Sequence, residues 1–115
     1  MKLPNSENAV APKPKITDYL LSFTHRDGRS KAQFFTRFGF SVENWEMLAN
    51  ALLRHAKEND VAEIEPSPFG TRYVIDGIIQ SPDGRRPAIR SIWFIESGEQ
   101  IPHLVSAYPL KGKNK

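Results

Sequence analysis

The clearest periodic pattern in the chain lies between residues 42 and 56. Val42, Trp45, Leu48, Ala49, Leu52, Leu53 and Ala56 recur every three or four positions, as one buried helix face requires. The pattern predicts a helix over Val42 to Glu58 with Ser41 as its cap; Glu43 and Glu46 lie near its start and Arg54, His55 and Lys57 near its end, where the helix dipole prefers them. Phe34, Phe35 and Phe38 share one side of a shorter predicted helix, Lys31 to Phe38, with Ser30 as N-cap and Gly39 where a left-handed C-terminal cap is wanted. Ahead of it, Ile16 to Leu21 reads as a short turn that anchors Ile16, Tyr19, Leu20 and the following Phe23 on a core.

Beyond Asp60 the period changes to that of strands. Val61 to Glu65 alternates, Thr71 to Ile75 with Ile78 and Ile79 forms a second β-rich run, and Ala88 to Ile95 is apolar enough for a central strand. His103 to Tyr108 is the last strand, ended by Pro109, and Ser81-Pro82-Asp83-Gly84 is the signature of a β-turn between strands. Helices followed by hairpin-connected strands predict an α+β domain, in which N-terminal helices pack on an antiparallel sheet of about four strands. Residues 1–14, with three prolines among small and polar residues, read as a flexible arm, 15–110 as one domain, and 111–115 as a basic tail.

Composition narrows the chemistry. With no cysteine, the chain has no disulfide, thiolate nucleophile or Cys-ligated metal. Sixteen Lys and Arg against thirteen Asp and Glu give a net charge of +3, a bias compatible with a polyanionic partner such as RNA. No apolar run is long enough to span a membrane and the start lacks the apolar core of a secretory signal, so a cytoplasmic location is expected. No glycine-rich phosphate loop, serine elbow or zinc-type histidine spacing occurs, and neither a cofactor nor a metal is expected.

What remains is a set of groups able to move protons and hold phosphate. His25-Arg26-Asp27-Gly28-Arg29-Ser30-Lys31 is the densest such stretch, with Asp27-Gly28 as a turn breaker. His25 is a candidate base or acid near neutral pH, while Lys31 together with Arg26 and Arg29 could hold a phosphate. From the sheet, Arg90 is the odd charge in an apolar strand, and Ser106 and Tyr108 lie two apart on one face of the last. Arg72 adds a further cation. His25, Lys31, Arg90, Ser106 and Tyr108 thus form the candidate catalytic set and Arg26, Arg29 and Arg72 the substrate-binding set. The plainer alternatives are a solvated or capping His25, an Arg90 paired with Glu96 or Asp76, a Tyr108 that closes the core, a His55 serving the helix dipole and a solvated His103.

Lys15-Ile16-Thr17-Asp18-Tyr19-Leu20-Leu21, then His25, Gly28, Ser30-Lys31-Ala32, Phe34-Phe35, Gly39-Phe40, Trp45, Gly70, Tyr73, Trp93 and the closing Leu104-Val105-Ser106-Ala107-Tyr108-Pro109 resemble an uncharacterised bacterial domain family. That family, a domain of unknown function, occurs as small stand-alone proteins and at the ends of polymorphic-toxin chains. A looser likeness is to the barnase, EndoU, colicin and RelE group of metal-free ribonucleases, whose last strand often carries Thr where this chain has Ser106. The likeness implies RNA cleavage by general acid/base chemistry and a cognate antitoxin or immunity protein. The competing implication is a non-catalytic binding or accessory module, a toxin partner or phage-associated protein. No counterpart of the second EndoU histidine is present.

Overall fold

A computed structural model describes residues 1–110. Helical segment α1 runs from Lys13 to Lys15 and continues as a π turn over Ile16–Leu20, closed by the Leu21 N–H on the Ile16 carbonyl at 2.8 Å. Helix α2 is Arg29–Arg37 and helix α3 is Trp45–Glu58. Four strands follow: β1 Val61–Ser67, β2 Gly70–Ile78, β3 Ala88–Glu96 and β4 His103–Pro109. The architecture is the α+β one expected, with sheet order β1-β2-β3-β4 and every pairing antiparallel.

The ends of the helices follow local chemistry. α2 stops because Gly39, at φ 102°, turns the chain left-handed; the Phe40 and Gly39 N–H groups then reach the Phe35 and Thr36 carbonyls at 3.3 and 3.0 Å. Phe40 packs edge-on against Phe35, completing a Schellman closure. The N-termini differ from expectation. α2 begins two residues early, with Gly28 and not Ser30 at the cap position. α3 begins at Trp45 because Ser41 Oγ accepts the Asn44 N–H at 3.3 Å in a local turn, which leaves Val42 exposed.

Directly paired residues of neighbouring strands project to the same side of a sheet. One side therefore carries Tyr73, Trp93 and Leu104, then Ile75, Ser91 and Ala107. These belong to the main core with Ile16, Leu20, Leu21, Phe35, Leu48 and Leu52 from the helical segments. The opposite side carries Arg72 and Phe94, Val74, Ile92 and Ser106, and Asp76, Arg90 and Tyr108. A register shift opposite Ile92 and Trp93 leaves Val105 as an extra residue on β4. This bulge lets Leu104 and Ala107 both face the core while Ser106 and Tyr108 face away.

His55 is not at the service of the helix dipole. It is 2% exposed and links α3 to the sheet: Nδ1 accepts the Ser91 hydroxyl at 2.9 Å and the Nε2–H donates to the Gly77 carbonyl at 3.1 Å. Ser91 Oγ in turn accepts the Trp93 indole N–H at 2.9 Å. Burial holds the His55 pKa below the ordinary imidazole value.

The first fourteen residues lie on the body instead of forming a free arm. Leu3 is 2% exposed within the core, the Val61 N–H bonds to the Met1 carbonyl at 2.7 Å, and Val10 pairs in parallel with His103. Composition misleads here because a few apolar positions suffice once an open strand edge supplies the backbone partners. The basic tail of residues 111–115 lies outside the described residues.

Candidate functional site

The π turn and the connection into α2 bring the charged turn against β4. Gly28 makes that approach feasible: its Cα faces the Tyr19 backbone so closely that a Cβ there would sit 2.8 Å from the Tyr19 carbonyl carbon. Its φ of −89° is ordinary, so Gly28 is present for space and not as a turn breaker.

Tyr19, which sequence reasoning treats only as an anchor, is the hub. Its hydroxyl lies 2.8 Å from Ser106 Oγ, its ring meets His25 edge-on at 4.9 Å, and the Lys15 and Lys31 ammonium groups stand 5.2 and 5.4 Å from its centroid. The Lys31 ammonium also lies 5.8 Å from the Tyr108 centroid and donates to the Asp27 carbonyl at 3.0 Å. Arg90 is the direct cross-strand partner of Tyr108, and the two line one groove. The five candidate catalytic side chains thus form one continuous cluster, with Tyr19 joining the turn to the strand. The signal for Tyr19 was its place in an amphipathic turn six residues ahead of His25, which could not reveal that its hydroxyl crosses to β4.

Geometry refines what each can do. The Asp27 and Gly28 backbone N–H groups both donate to His25 Nδ1 at 3.0 Å. With that lone pair occupied, the neutral ring carries its hydrogen on Nε2. His25 therefore caps the entry to α2 and offers a donor, which suits binding a phosphate oxygen better than accepting a proton. Ser106 is 8% exposed and engaged with Tyr19, the placement of a positioning residue.

Arg90 makes the paired contact anticipated with Asp76, a two-pronged one with Nε at 2.8 Å and Nη2 at 3.0 Å from its oxygens; Glu63, not Glu96, lies 3.6 Å away on the other side. Asp76, chiefly through these two hydrogen bonds, raises the Arg90 pKa further above its already high value. The guanidinium is a committed ion-pair partner more than a free phosphate clamp. Arg72 sits apart from the cluster, 3.5 Å from Glu65 across the β1–β2 pair, whereas Arg26 and Arg29 are exposed beside the turn.

Two shallow grooves flank the cluster. One, of about 410 Å³, is lined by Pro14, Lys15, Asp18, Tyr19 and His25; the other, of about 270 Å³, by Arg90, Tyr108, Pro109 and Leu110. Among the described residues no three His, Asp or Glu side chains converge as metal ligands, and no helix is long and apolar enough to cross a membrane.

No curated protein matches the sequence. Among solved structures, a chain of the contact-dependent growth inhibition toxin–immunity protein complex from Klebsiella pneumoniae 342 superimposes with a TM-score of 0.70. The match covers 93% of this chain and 97% of that one at 14% identity, a likeness of fold. The sequence itself matches a family model over residues 2–111, nearly its whole length, so the chain belongs to the family described as Domain of unknown function (DUF6883).

Proposed function

We propose that the domain is a toxin-type ribonuclease that works without a metal, cleaving RNA by attack of a 2′-hydroxyl on its own phosphate. The observation that carries this reading is the convergence of His25, Tyr19, Lys31, Ser106, Tyr108 and Arg90 into one cluster from two distant parts of the chain. In such a reaction the 2′-oxygen bonds to phosphorus, the bond to the 5′-oxygen breaks, one proton leaves the former and one reaches the latter. The His25 Nε2–H and the Lys31 ammonium meet the charge gathering on the phosphoryl oxygens. Tyr108 and Tyr19, the latter positioned by Ser106, are the hydroxyls that pass the protons. The fold likeness to a chain of a toxin–immunity complex supports a cognate protein partner.

The test is cleavage of RNA by the purified protein in EDTA. His25→Asn keeps a side-chain acceptor for the Asp27 and Gly28 N–H groups but removes the ring donor, and Tyr108→Phe removes one hydroxyl. Both are expected to fold and to lose cleavage by about 100-fold or more; full activity in both refutes the assignment. A second reading, a non-catalytic module of the immunity type, draws on the neutralisation of Arg90 by Asp76 and Glu63. It predicts a stable copurifying toxin and no cleavage by the wild-type protein.

A further inference from the structure

The two grooves are separated by the Lys31 ammonium, which stands over Tyr19 on the wall of one and over Tyr108 on the wall of the other. Each groove has an aromatic side and a partly apolar lining: Pro14, Tyr19 and His25 in the first, Tyr108, Pro109 and Leu110 in the second. A phosphate paired with Lys31 would therefore have one aromatic-walled recess to either side.

The charge distribution agrees with this. Between Lys13 and Lys31 the chain holds Lys13, Lys15, Arg26, Arg29 and Lys31 against Asp18 and Asp27, so the net +3 of the whole protein resides in this segment. By contrast, the arginines on the outer face of the sheet are committed, Arg72 to Glu65 and Arg90 to Asp76 and Glu63. Positive charge is thus dense on the helical side of the cleft, where a phosphate chain would be drawn.

Resting on the ribonuclease reading, we infer that the cleft takes single-stranded RNA as a splayed dinucleotide. One base enters the Lys15–Asp18–His25 groove, the other enters the Arg90–Tyr108–Leu110 groove, and the linking phosphate sits on Lys31. Bases so parted cannot remain stacked on each other, and a paired A-form helix cannot present them to two recesses at once. Aromatic walls accept any base by its face, and the exposed Asp18 carboxylate adds an acceptor in the first groove for a base edge with N–H donors.

Binding can be measured apart from cleavage with 2′-O-methyl oligonucleotides, which lack the attacking hydroxyl. Fluorescence anisotropy of a labelled single-stranded octamer is compared with that of the same sequence in a blunt duplex, in moderate salt. The expected result is affinity for the single strand at least about tenfold above that for the duplex. The Lys31→Met variant should lose about tenfold on the single strand, and Asp18→Ala should alter discrimination among homopolymers without altering duplex binding. Equal affinity for both forms, or unchanged binding in Lys31→Met, overturns the inference even where His25-dependent cleavage persists. If neither form binds and no RNA is cleaved, the ribonuclease reading falls with it.

Discussion

Replacing Gly28 by Ala separates two accounts of the charged turn by the sign of the effect. If Gly28 merely interrupted a helix, its backbone at φ −89° and ψ −18° would accept Ala without strain. The substitution would then stabilise by up to about 1 kcal/mol, through helix propensity and reduced freedom of the unfolded chain. The packing gives the opposite answer. The new Cβ would lie 2.8 Å from the Tyr19 carbonyl carbon and 3.2 Å from Tyr19 Cδ1, and closer still to the carbonyl oxygen.

Because the obstacle is mostly backbone, Tyr19 must move. Overpacking of this kind costs about 3 kcal/mol at the upper end of its usual range. Subtracting the propensity gain leaves a net loss of about 2 kcal/mol. Urea unfolding at neutral pH measures it: with an m-value of about 1.5 kcal/mol/M, the midpoint should fall by about 1.3 M at unchanged slope. Displacement of Tyr19 would also open its bond to Ser106 and its contact with His25. A midpoint equal to or above that of the wild type refutes the claim that Gly28 is required for close approach.

Two further predictions concern the body of the fold. Leu3→Ala should cost about 2 to 3 kcal/mol, as befits a core leucine; a change under about 0.5 kcal/mol in urea unfolding would mean that the first residues do move freely. Stability should decline as pH is lowered below about 6.5, because unfolded His55 takes up a proton that the buried ring, with its depressed pKa, does not. The slope approaches about 1.4 kcal/mol per pH unit and ends once the folded-state pKa is passed. Urea midpoints between pH 7.5 and 5.5 should show this decline in the wild type and less of it in His55→Gln, and a flat wild-type profile would contradict it.

Much of this architecture can be read from residue periodicity. The α3 stripe from Trp45 to Ala56 follows from spacing alone, because it buries a face of its own period, and the sequential antiparallel sheet follows from strands joined by short turns. Local boundaries were less legible: Ser30 and Ser41 have the composition of caps, yet the α2 entry is held by the His25 ring and Ser41 closes a turn three residues before α3 begins. The role of His55 depends on Ser91 and Gly77, distant in sequence, so its position near a helix end suggested the dipole instead.

The candidate site was half legible. The hydroxyls of β4 and the turn of residues 25–31 stand out by residue type, but their contact runs through Tyr19, whose partner Ser106 is 87 positions away. The outward facing of Ser106 with Tyr108 follows from alternation. The simultaneous burial of Leu104 and Ala107 does not, because it depends on the β4 bulge. Arg90 stands out as an isolated charge with Asp76 as one candidate partner, and the sheet register adds Glu63 in place of Glu96.

The most direct test of the central claim is product analysis on a defined single-stranded RNA in EDTA, with a copy carrying a single 2′-deoxy nucleotide at the cleaved step. The account predicts a 2′,3′-cyclic phosphate and a 5′-hydroxyl from the all-ribose strand, and no cleavage at the deoxy position. Absence of any cleavage of the all-ribose strand, or equal cleavage of both substrates, would contradict it.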